Sequence, residues 1–78
     1  MTDEHRQLLK SRLKANRWNL YHLADHAGIT NAYLSRLIRN RVDASQPIKI
    51  ALALHASRLT DFPYIPSDFD ITTTTTEN

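Results

Sequence analysis

A single glycine punctuates this chain. Gly28 stands in a sequence of 78 residues with helix-favouring stretches on both sides. Glycine takes a left-handed backbone at no steric cost, so a helical run broken by one glycine closes and restarts there. Prolines occur only at 47, 63 and 66, and no alternating strand-like pattern precedes residue 63. These features predict an all-α bundle of four or five short helices up to about residue 62, followed by a non-helical tail. The length allows one domain. Cysteine is absent, which removes disulfide staples and thiolate metal ligation from consideration.

A first helix is expected over 3–16, capped by Thr2 or Asp3, with Leu9 and Leu13 facing the core beside Leu8, and with Arg6, Lys10 and Lys14 as a solvated basic stripe. A second helix starts at the N-cap Asn19, with Trp18 and Leu23 at the spacing of a hydrophobic staple, and ends at Ala27. A third is capped by Thr30, with Ile29 stapled against Leu34, and runs through Leu37 and Ile38 to about Asn40. A fourth begins after Ser45 with Pro47 in its first turn. Its run Ile48, Ile50, Ala51, Leu52, Ala53 and Leu54 is apolar nearly all round, which predicts burial on every side. A short fifth helix starting after Ser57 would hold Leu59 and Phe62 and stop at Pro63.

Charge is unevenly distributed. Residues 1–60 carry all ten lysines and arginines against four acids, whereas residues 61–78 carry four acids and no base. A basic body with an acidic tail points to a polyanion-facing surface on the body. The 20–39 segment also meets the mechanical needs of two steeply crossed helices. Ala24 is small where the first helix nears the second, Gly28 follows four places later, and Leu23, Ala27, Ile29, Leu34 and Leu37 recur on the inward faces.

The stretch LYHLADHAGITNAYLSRLIR at 20–39 resembles the helix-turn-helix of lambda repressor and Cro-type regulators. IALALHAS at 50–57, with Leu59, Asp61 and Phe62 after it, is similar to the fourth helix of that family and its junction with the fifth. The resemblance spans roughly 5–62 and implies a compact lambda repressor-like DNA-binding domain of up to five helices over 1–63, with an acidic, Thr-rich tail over 64–78. It further implies a sequence-specific transcriptional regulator, acting as a homodimer on palindromic double-stranded DNA and repressing by occlusion. On that reading Asn31, Ala32, Ser35 and Arg36 face the bases. Asn19, Tyr21, Thr30, Tyr33, Arg39, Asn40 and Arg41 meet the backbone. Two positions depart from the family pattern: Leu20 replaces a polar residue, often Gln, that touches a phosphate, and His55 replaces a common glycine.

Other readings stay open. The same helix pair would serve a protein-binding module such as an antitoxin or a phage accessory factor, and PSDF at 66–69 loosely resembles the tail of some Cro-like antitoxins. The β-branched run from Phe69 to Thr75 would pair as a strand with a second copy, or else 62–71 packs on the domain. His22 and His26 lie four apart, as zinc ligands do, but no third ligand accompanies them. No paired carboxylates, nucleophile–histidine arrangement or glycine-rich phosphate loop stands out, so no enzyme, cofactor or metal is expected. The polar opening residues and the lack of a long apolar run predict a cytoplasmic protein.

Overall fold

The computed structural model describes residues 1–71, which form helices α1 (Asp3–Ala15), α2 (Leu20–Ala27), α3 (Asn31–Ile38) and α4 (Gln46–Thr60), then a short 3₁₀ turn at Pro66–Phe69. No strand occurs among the described residues. Local chemistry explains each start. The Thr2 hydroxyl accepts from His5 N, and Asp3 and Glu4 sit at the positive end of the α1 dipole. Pro47 occupies the first turn of α4, where its missing N–H costs nothing.

The helix ends share one device. Arg17, Gly28, Asn40 and Asp61 all have positive φ, between 57° and 77°. At the first three, two backbone bonds close a Schellman motif. Trp18 N reaches Leu13 O at 2.8 Å and Arg17 N reaches Lys14 O at 2.9 Å; Arg41 N and Asn40 N do the same to Arg36 O and Leu37 O. Only one of the four residues is glycine, so the chain accepts left-handed strain at the other three.

The core is one cluster. Leu9 and Leu13 of α1, Leu23 and Ala24 of α2, and Leu34, Leu37 and Ile38 of α3 converge on Leu52, Ala53, Ala56 and Leu59 of α4. Helix α4 packs against α1, α2 and the 3₁₀ turn, while the main packing partner of α3 is α2.

Four expectations for the helices fail. Among the described residues there is no break at Ser57 and no fifth α-helix, because α4 runs unbroken to Thr60. His55 lies in mid-helix, and the Ser57 hydroxyl bonds back to Ala53 O at 2.7 Å, satisfying itself within the helix. Nor is α4 buried all round: Ile50 and Leu54 are about half exposed, one turn apart on its outer side. Leu8 also faces outward, since α1 needs only the Leu9 and Leu13 edge to reach α4. Helix α3 stops at Ile38, short of Asn40.

The segment after Pro63 is neither wholly non-helical nor detached. Phe69 is 1% exposed and belongs to the core. Tyr64 N donates to the Ser57 hydroxyl at 2.9 Å, Arg12 bonds the Tyr64 hydroxyl at 3.0 Å, and the Arg12 guanidinium lies 3.6 Å over the Phe62 ring. Asp70 pairs with Lys49 at 2.7 Å, with Asp43 on the other side of the same ammonium at 3.1 Å. These carboxylates raise the Lys49 pKa, Asp70 foremost. Of the two readings of this segment, packing of 62–71 on the domain holds; Phe69 lies in the 3₁₀ turn, and the rest of the alternative Phe69–Thr75 strand falls largely on residues outside those described.

Replacing Phe69 by Ala removes the largest fully buried side chain and should lower unfolding stability by about 3–5 kcal/mol. A urea titration followed by circular dichroism measures this. Conversely, Arg17→Gly relieves left-handed strain at an exposed site and should raise stability by about 0.5–1 kcal/mol in the same assay.

Candidate nucleic-acid interface

Helices α2 and α3 are joined by Gly28, Ile29 and Thr30 alone. Gly28 has φ 77°. Its N–H donates to Asp25 O at 3.2 Å, and Ile29 N donates to Ala24 O at 3.0 Å, which completes the Schellman closure of α2. The Thr30 hydroxyl then accepts from Tyr33 N at 3.0 Å and opens α3. At the other end of α2, Asn19 Oδ1 accepts from His22 N while His22 Nδ1 accepts from Asn19 N, both at 3.1 Å. This reciprocal capping box places His22 where Glu or Gln usually stands, a role that sequence reasoning missed. The Trp18 ring meets His22 and His26 edge-on, at centroid distances of 5.1 and 5.7 Å.

Helix α3 buries Leu34, Leu37 and Ile38 and turns its remaining residues outward. Asn31, Ala32 and Arg36 are exposed; Tyr33 and Ser35 are half-buried. Arg39 and Arg41 leave the helix exposed, and neither has an ion-pair partner among the described residues. The expected base-facing residues Asn31, Ala32 and Arg36 are therefore accessible, Ser35 in part, and so are the two arginines beyond them.

Asn40 is the exception within the expected backbone set. Its Oδ1 accepts from the Met1 amine at 2.7 Å, and its Nδ2 donates to Met1 O at 2.7 Å. An amide held at both ends is a structural clamp between the start of the chain and the exit of α3. Thr30 and Asn19 also spend side-chain oxygens on their own helix starts. What they leave for a ligand is the Asn19 Nδ2 amide and the Thr30 hydroxyl hydrogen as donors, with the first-turn backbone N–H groups.

The fold brings Lys10 and Lys14, expected only as a solvated stripe, beside the candidate interface. An open groove of about 590 Å³ runs between α1 and the start of α2. It is lined by Lys10 and Lys14 of α1, by Trp18, Asn19, Leu20 and Tyr21 around the α2 start, and by Asn31 and Ser35 of α3. The stripe expected on α1 thus divides: Arg6 pairs with Asp3, whereas the two lysines line a groove shared with α3. Helical spacing put Lys10 and Lys14 on one face, but only packing could show which neighbour that face would meet.

His55 of α4 lies 5.8 Å from His26 of α2, ring to ring. Burial, the neighbouring His26 and the Arg58 cation hold its pKa below the ordinary histidine value. Among the described residues no group of three or more His, Asp or Glu side chains could hold a metal ion. No helix there is long and apolar enough to cross a membrane. Comparison with family models, with curated proteins and with solved structures finds no match for this chain.

Two outcomes follow. A Cβ built on Gly28 meets nothing within 4 Å, so Gly28→Ala adds backbone strain alone and should cost about 1–2 kcal/mol in chemical denaturation. The unfolded chain protonates His55 near pH 6.5 and the folded chain only at lower pH. Its contribution is therefore fully present above that pH and is lost as pH falls through the depressed folded value. The thermal midpoint should decline in that interval less steeply in His55→Gln.

Proposed function

We propose that this protein is a non-catalytic, sequence-specific DNA-binding regulator in which α2, its turn and α3 form a helix-turn-helix, as the resemblance to lambda repressor and Cro-type regulators implies. The observation that carries the reading is the accessible edge of α3. Asn31 and Arg36 are exposed on a helix whose opposite face is anchored to α2, and Arg39 and Arg41 continue that edge.

The chemistry suits the two halves of the task. An arginine donates two parallel hydrogen bonds to guanine O6 and N7, and an asparagine pairs likewise with adenine N6 and N7. Ala32 offers a methyl group to thymine, and Ser35 a hydroxyl to either kind of base. Arg39 and Arg41 supply phosphate contacts, with Tyr21 and Tyr33 and the N–H groups opening α2 and α3 as further backbone contacts. Asn40 is left out of this set, since it holds Met1. A homodimer on a palindromic operator would set two copies of α3 about one helical turn, roughly 34 Å, apart. Steric occlusion of a promoter in the cytoplasm is then the simplest regulatory action.

Fluorescence anisotropy with sequences selected from a random duplex pool tests this. Affinity should fall linearly in log–log form with salt, by about 0.9 per phosphate neutralised. Arg36→Ala should cost about 1–3 kcal/mol and flatten the preference at one base position. Arg41→Gln should weaken all duplexes alike and reduce the salt slope by about 1. If both variants bind like the parent, α3 is not the DNA-reading element.

A further inference from the structure

We infer that the groove between α1 and α2 is a docking site for an acidic polypeptide segment that inserts one large apolar side chain, and that such a segment competes with DNA for this face. The competition rests on the DNA-binding reading above; the docking does not.

The lining is two-natured. Its floor carries Trp18, Leu20 and Tyr21, and its α1 edge carries Lys10 and Lys14. Tyr21 is 61% exposed, the most exposed large apolar residue of the described chain. Neither lysine has an ion-pair partner among the described residues, and no acidic residue lines the groove. A phosphate backbone would use the two ammonium groups and the Tyr21 hydroxyl but would leave the Trp18 and Leu20 side chains against sugar edges and water. A peptide with carboxylates flanking an aromatic or leucyl anchor uses both, by charge complementarity at the edge and desolvation at the floor. The volume of about 590 Å³ admits such an anchor with its neighbouring backbone, and falls within the roughly 300–1,000 Å³ common for ligand sites. Asn19, Asn31 and Ser35 add side-chain amide and hydroxyl groups for the peptide backbone.

Leu20 is central to this choice. At the opening of α2 a polar side chain would reach toward a phosphate; leucine instead extends the apolar floor from Trp18 to Tyr21. Asn31 and Ser35 line the groove and also belong to the proposed DNA edge. An occupant would therefore cover part of that edge.

The probe is a short fluorescein-labelled glutamate-rich peptide carrying one central phenylalanine, with a matched peptide that has serine in its place. The phenylalanine peptide should bind the full chain and shift the Trp18 indole resonance, with the serine peptide weaker by roughly tenfold. Tyr21→Ala, at an exposed position, should lose a similar factor for the phenylalanine peptide only. The double variant Lys10→Gln/Lys14→Gln should weaken both peptides. Equal binding of the two peptides, no binding, or an unmoved Trp18 resonance would overturn the inference. So would a thymine oligonucleotide that shifts Trp18 at lower concentration than the peptide does. Against a selected duplex the phenylalanine peptide should displace the DNA; simultaneous binding overturns the competition. A chain that binds the peptide and no duplex at any salt keeps the docking site and sinks the DNA reading. A chain that binds duplex and not peptide does the reverse.

Discussion

Burial of one face of α4 holds the rest of the molecule in place. Leu52, Ala53, Ala56, Leu59 and Thr60 form that face, and α1, α2 and the 3₁₀ turn all rest on it. Alanines at 53 and 56 let neighbours approach closely, and leucines at 52 and 59 fill the space between. Thr60 is the one buried polar residue of the described chain, and its hydroxyl is satisfied by Ala56 O. A domain this small buries only about 60% of its unfolded surface. It therefore depends on each apolar contact, including the Phe69 ring brought back by the chain after Pro63. Lys49, held between Asp43 and Asp70, ties the same return segment to α4.

On that support α3 packs chiefly on α2, and part of its outer edge stays accessible. The left-handed Gly28 sets where α3 starts, and the Asn40 clamp on Met1 sets where the chain leaves it. Between these two points lie Asn31, Ala32, Arg36 and Arg39, all exposed. The proposed polyanion-facing surface would gain from this arrangement. The acids of 61–70 are partly occupied elsewhere, Asp70 on Lys49 and Asp68 on Ile65 N, and none of them lines the groove beside α3.

Much of the fold was legible in the residues. Thr2, Asn19 and Thr30 announced three helix starts because a side-chain oxygen at an N-cap has a local partner three residues on. Gly28 announced the tight turn because glycine is the residue expected at a left-handed site. The same reasoning did not see Arg17, whose side chain gives no sign of a positive φ, or Asp61 and Asn40, whose residue types only tolerate it. It placed the start of a fifth helix after Ser57, whereas that serine bonds within its own helix. It took Ile50 and Leu54 as buried because six apolar residues in seven look buried from composition alone, yet a helix on the surface of a small bundle still turns one side to solvent.

For the candidate interface the division is similar. The outward placement of Asn31 and Arg36 follows from period alone, since Leu34, Leu37 and Ile38 must face inward. The roles of His22, Asn40, Lys10 and Lys14 do not. Capping boxes, helix starts and the turn at Gly28 were determined by the sequence itself, because their hydrogen bonds close within a few residues. Which side of α4 is covered, where Phe69 returns, what Asn40 holds and which lysines border α3 were decided by tertiary structure. Those contacts join residues tens of positions apart, and only mutual burial brings them together.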